Sequence, residues 1–384
     1  MSRRIRVAHL ITNFAFGGAQ DYLLLIVRGL DQTKFEPIVA GRMEGDWAEM
    51  VQSLPGVQAY DIPALCRPIS LWNDAKSIFQ IKKFCEERKV EILHTHSSKA
   101  GVVGRLGGSF ARVGGIVHTV HGFSFNEFMP PWTKIVFVGI EKAMSRFTTS
   151  LLLYSNGDRE TARKLGIGAR RSVETFYYGI DFSPFERPVD RAAVRRSLGF
   201  NDRHKVIGFT GRFSDQKGLH ILVEAFACLS KEVPNARLLL VGDGHLRGQL
   251  EIQARSLGVH NHVVITGFRS DVPAYLAAMD LFAMTSLWEG LSRSLAEAMY
   301  AKLPVIATDV GGTSDAIRNN ETGWLIKPNS VNAAVEAMED ALSNPDKARR
   351  LAECGYQWAR RAFDMDTMHK RIAELYEQLA EGTR

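Results

Sequence analysis

The sequence predicts an α/β protein that contains two doubly wound parallel sheets. Short runs rich in Val, Ile and Leu alternate with longer helical patterns, as in parallel strands joined by crossover helices. The alternation starts afresh near residue 205, and 384 residues exceed the length of one ordinary domain. A composition with 45% hydrophobic and 23% charged residues excludes disordered, collagenous and coiled-coil chains.

The first series of elements precedes residue 177. Its buried strands are expected at residues 5–11, 35–40, 92–96, 116–121 and 151–154, with helices such as 19–30 and 71–88 between them. Residues 177–190 contain Gly179, Pro184 and Pro188 without a strand or helix period, which predicts an interdomain linker. We therefore expect an N-terminal domain over residues 1–182.

The second series of elements forms a C-terminal domain over residues 183–363. Its strands are expected at residues 206–210, 237–241, 263–266, 281–284, 305–307 and 324–326. Helical patterns without an intervening strand follow at residues 331–342, 345–362 and 365–380, and at least one of these helices is free to return to the first domain.

The net charge of +6 is concentrated in the first part of the chain. The first 171 residues carry 23 Lys and Arg against 15 Asp and Glu, whereas the remainder carries 25 against 27. A basic half suits nucleic acid, an anionic membrane or a phosphorylated substrate. No zinc finger, RNP-type motif or helix-turn-helix pattern accompanies the charge, so we do not expect nucleic-acid binding.

The cysteine pattern and the apolar runs predict a cytoplasmic protein that does not span a membrane. The four cysteines are scattered without zinc-ligand spacing, which fits a reducing compartment. The chain also lacks a signal-peptide cleavage pattern and a run of about 18 apolar residues.

Two motifs in the first half could meet a ligand. Gly17 and Gly18 precede a helix after the first strand, where they suit either an anion or a tight turn. His121 ends a strand and could hydrogen-bond a sugar hydroxyl, move a proton or serve only the structure. His94 and His96 alternate as metal ligands can, but no third ligand is evident, and we predict no metal site.

The second half carries more specific chemistry. Arg212 and Lys217, in GRFSDQKG, bring two cations to a loop ahead of a helix, which suits a diphosphate. Glu289 follows a strand in SLWEGLSRSLAEAMYA, and the glycine loop after it leads into a helix that carries Glu297. Such a loop directs backbone N–H groups at phosphate, while Glu297 could accept hydrogen bonds from a ribose diol.

These motifs together resemble the retaining GT-B glycosyltransferases of family 4. The resemblance rests on GGAQ, HTHSSKAG, HGF, GRFSDQKG, VGDG and EGLSRSLAEAM, in that order and over essentially the whole chain. It implies two Rossmann-like domains that face a central cleft, with the acceptor bound by the first domain and the nucleotide-sugar by the second. It also implies that a last helix, at about residues 364–384, returns to the first domain.

The resemblance assigns roles to individual residues. Arg212 and Lys217 would hold the donor diphosphate together with the backbone of Leu291 and Ser292, and Gly18 would lie near the phosphates. The other roles are base contact by Arg269, ribose binding by Glu297, and contact with the transferred sugar by the catalytic pair His121 and Glu289.

The implied reaction retains the anomeric configuration by a front-face mechanism and needs neither a cofactor nor a divalent metal. The nucleotide-sugar is a substrate, and cations with helix amides can stabilise the departing diphosphate. Arg293 departs from the apolar residue expected after the Glu-Gly loop and could touch a phosphate or an acidic sugar. The D-x-D at Asp364 and Asp366 is interpreted as the start of a helix.

The acceptor is less defined. The aromatic stretch 122–134 leads into residues 135–146, which include Lys142 and Arg146, and could anchor the protein at an anionic bilayer or form an acceptor-site lid. We expect a peripheral enzyme at the inner face of the plasma membrane that transfers a sugar, from UDP in preference to GDP, to a glycan or polyprenyl-diphosphate-linked acceptor of bacterial surface polysaccharide. The alternatives are a GT-B sugar-nucleotide epimerase and a non-catalytic nucleotide-binding scaffold.

Overall fold

The computed structural model of the protein describes residues 3–13, 18–44, 46–125 and 129–382. The chain divides into two compact units. The N-terminal unit comprises Met1–Gly179 together with Asp364–Arg384, and the C-terminal unit comprises Ile180–Phe363. The expected boundary after residue 182 lies close to the division between Gly179 and Ile180.

The N-terminal unit contains a parallel sheet with the order β3-β2-β1-β4-β5-β6-β7. Its strands are β1 (Ile5–Asn13), β2 (Phe35–Arg42), β3 (Gln58–Asp61), β4 (Ile92–His96), β5 (Gly115–Val120), β6 (Ser150–Leu153) and β7 (Ser172–Thr175). The central strands β1, β4 and β5 are largely or wholly buried, which explains their continuous apolar runs. The chain order reverses between β1 and β4, so ligands are expected at the carboxyl ends of these two strands.

Within the described residues of this unit, six helices connect the strands. They are α1 (Gly18–Gly29), α2 (Asp46–Gln52), α3 (Leu71–Glu87), α4 (Ser98–Phe110), α5 (Pro131–Ser145) and α6 (Asn156–Leu165). Helix α4 packs against both α3 and α5, so these three helices cover one face of the sheet.

The C-terminal unit has a second parallel sheet, with the order β10-β9-β8-β11-β12-β13. Its strands are β8 (Lys205–Thr210), β9 (Ala236–Val241), β10 (Val263–Ile265), β11 (Leu281–Met284), β12 (Val305–Thr308) and β13 (Trp324–Ile326). Its helices are α7 (Arg191–Ser197), α8 (Leu219–Glu232), α9 (Arg247–Ser256), α10 (Val272–Ala278), α11 (Arg293–Tyr300), α12 (Thr313–Ala316), α13 (Val331–Ser343) and α14 (Pro345–Ala362). The order reverses between β8 and β11, which places the expected ligand site after these two strands.

The last helix, α15 (Met365–Glu381), packs against α1, β4 and β5 of the N-terminal unit. Asp364 caps it by accepting a hydrogen bond from the Thr367 amide at 2.8 Å, which confirms the helix-start interpretation of this segment. The Tyr376 hydroxyl lies 2.5 Å from His94 Nδ1 and ties the helix to β4. Within the described residues, every helix is too short or too polar to cross a bilayer.

Eleven of the described strands lie within two residues of their expected bounds at each end, whereas β3 and β7 were not expected. The sequences of these two strands, QAYD and SVET, are short and lie at the edges of the sheet. Neither strand carries the apolar run from which the other strands were predicted, and no residue of either strand is fully buried. The expected linker contains a short 3-10 helix, Ser183–Glu186.

Candidate active site

The loop after β8 is held against the end of β11. It contains a 3-10 turn, Asp215–Lys217, and then Gly218 in the left-handed conformation with φ +55°. A Cβ at Gly218 would lie 2.3 Å from the carbonyl oxygen of Thr285, so this close approach requires glycine. The Thr285 hydroxyl donates a hydrogen bond to the Gly218 carbonyl at 3.0 Å. The two loops at the sheet's reversal point are therefore joined directly.

Glu289 and Lys217 meet at this junction. Lys217 Nζ donates to Glu289 Oε1 at 2.5 Å, and the Ser286 hydroxyl donates to the same oxygen at 2.7 Å. Gln216 Nε2 donates to Glu289 Oε2 at 3.2 Å and to the Trp288 carbonyl at 3.0 Å. The side chain of Glu289 is only 5% exposed. The arrangement presents an oriented carboxylate and an ammonium side by side, 72 residues apart in the chain.

The carboxylate of Glu297 is likewise oriented by a cation. Ser292 caps α11 by accepting a hydrogen bond from the Leu295 amide, and Glu297 lies one turn into that helix. Arg293 Nε donates to Glu297 Oε1 at 2.8 Å. Arg293, the residue that departs from the family pattern, thus positions the carboxylate expected to bind ribose. Leu291 is partly buried in the loop between Glu289 and Ser292.

A second glycine loop, Gly311 and Gly312, for which no role was predicted, packs against the loop that carries Glu289. Gly311 has φ +52°, and a Cβ there would lie 1.7 Å from the carbonyl oxygen of Glu289. The Gly312 amide donates a hydrogen bond to the Gly290 carbonyl at 3.1 Å. The signal in the sequence was a pair of glycines shortly after an apolar run, as at Gly17 and Gly18.

Two expected cations lie apart from this pair. Arg212 is on the same loop as Lys217 but has an exposed side chain. Arg269 is also exposed, and its guanidinium lies 5.8 Å from the centre of the Tyr275 ring. The contacts of the described residues therefore join Lys217 to Glu289 without including Arg212 or Arg269.

In the N-terminal unit, His121 follows β5 and lies beside other histidines. Its Nε2 is 3.4 Å from His96 Nδ1, at the end of β4. Burial lowers the pKa of His121 to about 3, so its imidazole is neutral at physiological pH. This favours the expected hydrogen-bonding role over proton transfer near neutral pH. Gly18 begins α1 with open space around it, whereas Gly17 lies outside the described residues.

His9 supplies a third imidazole beside His94 and His96, and it was not predicted from the sequence. One ring nitrogen from each of His9, His94 and His96 lies within 4.8 Å of the others. Both ring nitrogens of His94 already face hydroxyl groups: Nδ1 lies 2.5 Å from the Tyr376 hydroxyl oxygen, and Nε2 lies 2.7 Å from that of Thr119. His9 Nδ1 and His96 Nε2 face each other at 3.3 Å. The arrangement therefore favours hydrogen bonding over metal coordination.

Comparison with known proteins places these features in a family. Residues 16–183 match the model of Glycosyltransferase Family 4, and residues 190–358 match that of Glycosyl transferases group 1. The chain is 29% identical over 349 residues to the UDP-Gal:alpha-D-GlcNAc-diphosphoundecaprenol alpha-1,3-galactosyltransferase of Escherichia coli, which covers 89% of this chain and 90% of that protein. It is also 27% identical to a GDP-mannose-dependent alpha-(1-6)-phosphatidylinositol monomannoside mannosyltransferase of Mycolicibacterium smegmatis, with 94% of each chain covered.

Solved structures agree with this assignment. HepE of Anabaena, in a complex with UDP and glucose, has a TM-score of 0.82 and 25% identity, with 97% of this chain and 100% of that chain covered. Sucrose-phosphate synthase of Thermosynechococcus elongatus has a TM-score of 0.83 at 21% identity, with 98% and 99% covered, and so shares the fold. The two sheets, the site at the end of β8 and β11 and these matches lead to one conclusion: the chain belongs to family 4 of the glycosyltransferases and has the GT-B fold.

Proposed function

We propose that the protein is a retaining, metal-independent hexosyltransferase that moves a sugar from UDP to a lipid-diphosphate-linked glycan of a bacterial surface polysaccharide. The observation that carries this proposal is the contact between Lys217 and Glu289 at the reversal point of a parallel sheet. The pair provides a cation for a phosphate and a carboxylate for sugar hydroxyls within one site.

The reaction depends on stabilising the departing diphosphate. Negative charge develops on the phosphate oxygen as the bond to the sugar breaks, and Lys217 can neutralise it. Arg212, exposed on the same loop, is free to close on the phosphates from outside. In a front-face reaction the leaving phosphate accepts the proton of the acceptor hydroxyl, so the protein needs no separate base. No cofactor or divalent metal enters this scheme.

Donor binding must break the ion pair between Lys217 and Glu289, because each partner then contacts a different group of the donor. In the structure Glu289 accepts hydrogen bonds from Lys217, Ser286 and Gln216. A donor phosphate would compete with Glu289 for Lys217, while sugar hydroxyls would replace the ammonium as donors to the carboxylate. Ser286 and Gln216 would keep Glu289 in place during this exchange.

The preference for UDP is supported by the named donor of the Escherichia coli relative and by the UDP and glucose of the HepE complex. The Mycolicibacterium relative is named for GDP-mannose, so the family uses more than one base. Glu297, oriented by Arg293, would accept hydrogen bonds from the ribose, which both nucleotides share.

The lipid-linked acceptor is supported by an apolar and basic face of the N-terminal unit. Ile69, just before α3, and Leu71 and Trp72, at its start, are between 78% and 88% exposed. Trp132 and Ile135 of α5 are 70% and 71% exposed.

Both helices pack against α4, which places these apolar groups on the same side of the sheet. Arg67, Lys76, Lys134 and Lys142 belong to the same segments. Aromatic and aliphatic side chains with nearby cations suit the surface of an anionic bilayer. We place the enzyme at the inner face of the plasma membrane on this basis, beside an acceptor of the kind named for the Escherichia coli relative.

The donor site is tested by nucleotide release from UDP-, GDP- and ADP-sugars without added metal. We expect one UDP-sugar to be hydrolysed slowly and Lys217→Ala and Glu289→Ala each to lower release by about 10²-fold or more. Lys231→Ala, an exposed cation at the far end of α8, should leave release unchanged. Release that survives both site variants, or that requires a divalent metal, would contradict the proposal. An isomerised sugar without free UDP would instead identify an epimerase.

The membrane face is tested by co-sedimentation with vesicles. We expect binding to vesicles that contain phosphatidylglycerol, weakened by salt and by the double variant Trp72→Ser/Ile135→Ser. Ile252→Ser, which alters an apolar residue 65% exposed on the C-terminal unit, serves as the control. Equal sedimentation of the double variant and the parent protein would exclude this face as the membrane contact.

A further inference from the structure

Three histidines form a continuous chain through the N-terminal sheet. His9 Nδ1 lies 3.3 Å from His96 Nε2, and His96 Nδ1 lies 3.4 Å from His121 Nε2. His9 and His96 are fully buried on β1 and β4, and His121 is partly exposed just beyond β5. The chain thus leads from the interior of the sheet to the residue expected beside the donor sugar.

The protons in this chain can be arranged in only two ways. Burial lowers the pKa of His9 and His121 to about 3 and that of His96 well below its usual value, so each ring is neutral and carries one N–H. Every N–H then points along the chain in the same direction, either from His121 toward His9 or from His9 toward His121.

His9, at the buried end of the histidine chain, decides in which direction the N–H groups point. His9 Nε2 is buried and has no hydrogen-bond partner among the described residues. A buried N–H without an acceptor is costly and rare, whereas an unused lone pair is better tolerated. The proton of His9 therefore belongs on Nδ1, which donates to His96 Nε2. His96 then donates from Nδ1 to His121 Nε2, and the proton of His121 is left on its own Nδ1.

We propose that His9 and His96 are positioning residues that hold His121 as a fixed Nδ1–H donor. The rings of Tyr22 and Tyr154, with centroids 5.5 Å and 5.2 Å from that of His121, restrict its rotation. His121 would then donate to an oxygen of the bound donor, and because its Nε2 is occupied by His96 it would not accept the proton of the acceptor hydroxyl. The identity of that ligand as a nucleotide-sugar rests on the proposed function, but the tautomer does not.

The tautomer can be measured directly on the whole protein without any substrate. In ¹⁵N-histidine-labelled protein, long-range ¹H–¹⁵N spectra distinguish a protonated ring nitrogen from an unprotonated one, and His121→Asn assigns the signal. We expect His121 to show a protonated Nδ1 and an unprotonated Nε2. A protonated Nε2 in the parent protein would overturn the proposal, whatever the behaviour of any variant.

Substitution at His96 tests the coupling. His96→Leu removes the donor, so the Nε2–H form of His121 should become populated, and kcat/KM should fall at least tenfold while the affinity for UDP is kept. His96→Asn, whose amide can replace Nδ1 as a donor, should restore the tautomer and much of the rate. His260→Asn, on the C-terminal unit, is the control.

The outcomes at His96 separate the inference from the proposed function. An unchanged His121 spectrum in a folded His96→Leu variant would refute the coupling. If the spectra behave as expected while no nucleotide-sugar is turned over by the parent protein, the proposed function fails and the histidine chain stands.

Discussion

Gly311→Ala is expected to disable the donor site without changing any charged group. Gly311 lies in the loop after β12 and has φ +52°, and a Cβ on it would lie 1.7 Å from the carbonyl oxygen of Glu289. Real Cβ atoms essentially never approach another atom more closely than 3.0 Å. The loop that carries Glu289 must therefore move away by more than roughly 1 Å, since both contacting groups are backbone.

The size of the effect follows from that displacement. Misplacing a reacting group by about 1 Å costs on the order of 10²-fold in rate, and we expect a loss of this order in release of UDP from the donor sugar. The left-handed conformation adds about 1–2 kcal/mol of strain for alanine. The unfolding free energy should fall by at least this amount, because moving the Glu289 loop has its own cost.

The assay combines three measurements on Gly311→Ala: calorimetric affinity for UDP, the rate of UDP release and urea unfolding. Gly248→Ala is the matched control, because a Cβ at Gly248 in α9 meets nothing within 4 Å. Alanine in that helix should leave activity unchanged and stabilise the protein by about 0.5–1 kcal/mol. If Gly311→Ala binds and turns over the donor as the parent protein does, the Glu289 loop is not the donor site, and the reasoning is refuted.

Two further predictions concern the N-terminal unit. Arg105 is 1% exposed, and its Nη2 donates a hydrogen bond to Glu141 Oε2 at 3.0 Å. In urea unfolding, Glu141→Gln should lower the unfolding free energy by about 3–5 kcal/mol, and the double variant Arg105→Met/Glu141→Leu should recover most of that loss. Equal stability of the parent protein and Glu141→Gln would contradict this prediction. Acidification should also destabilise this unit, because burial lowers the pKa of His9 and His121 to about 3, whereas histidine in an unfolded chain has a pKa of about 6.5. Below pH 6.5 the unfolded chain binds protons at these histidines that the folded chain does not. The unfolding free energy should therefore fall by about 1.4 kcal/mol per histidine for each pH unit below 6.5. An unfolding free energy that is constant from pH 6.5 to 5 would contradict this prediction.

The sequence predicted both sheets apart from the edge strands β3 and β7, and it selected Lys217 and Glu289, which the structure brings into contact. Strands such as Leu281–Met284 could be predicted because a strand that is buried on both faces of a parallel sheet consists almost entirely of apolar residues. Lys217 and Glu289 could be selected because each follows such a run beside a glycine, where strand ends and helix starts meet ligands. These signals depend only on residues that are close together in the chain, so they can be recognised without knowledge of the fold.

The partners of these residues were decided only by the tertiary structure. Lys217 and Glu289 are 72 residues apart, and their contact depends on β8 and β11 being neighbours at the reversal of the strand order. The histidine chain joins three strands in the same way, through the registers that align His9 with His94 and Thr95 with His118. Hydrophobic periodicity records whether a residue is buried, but strand order and register, which decide what it is buried against, come from packing the whole sheet.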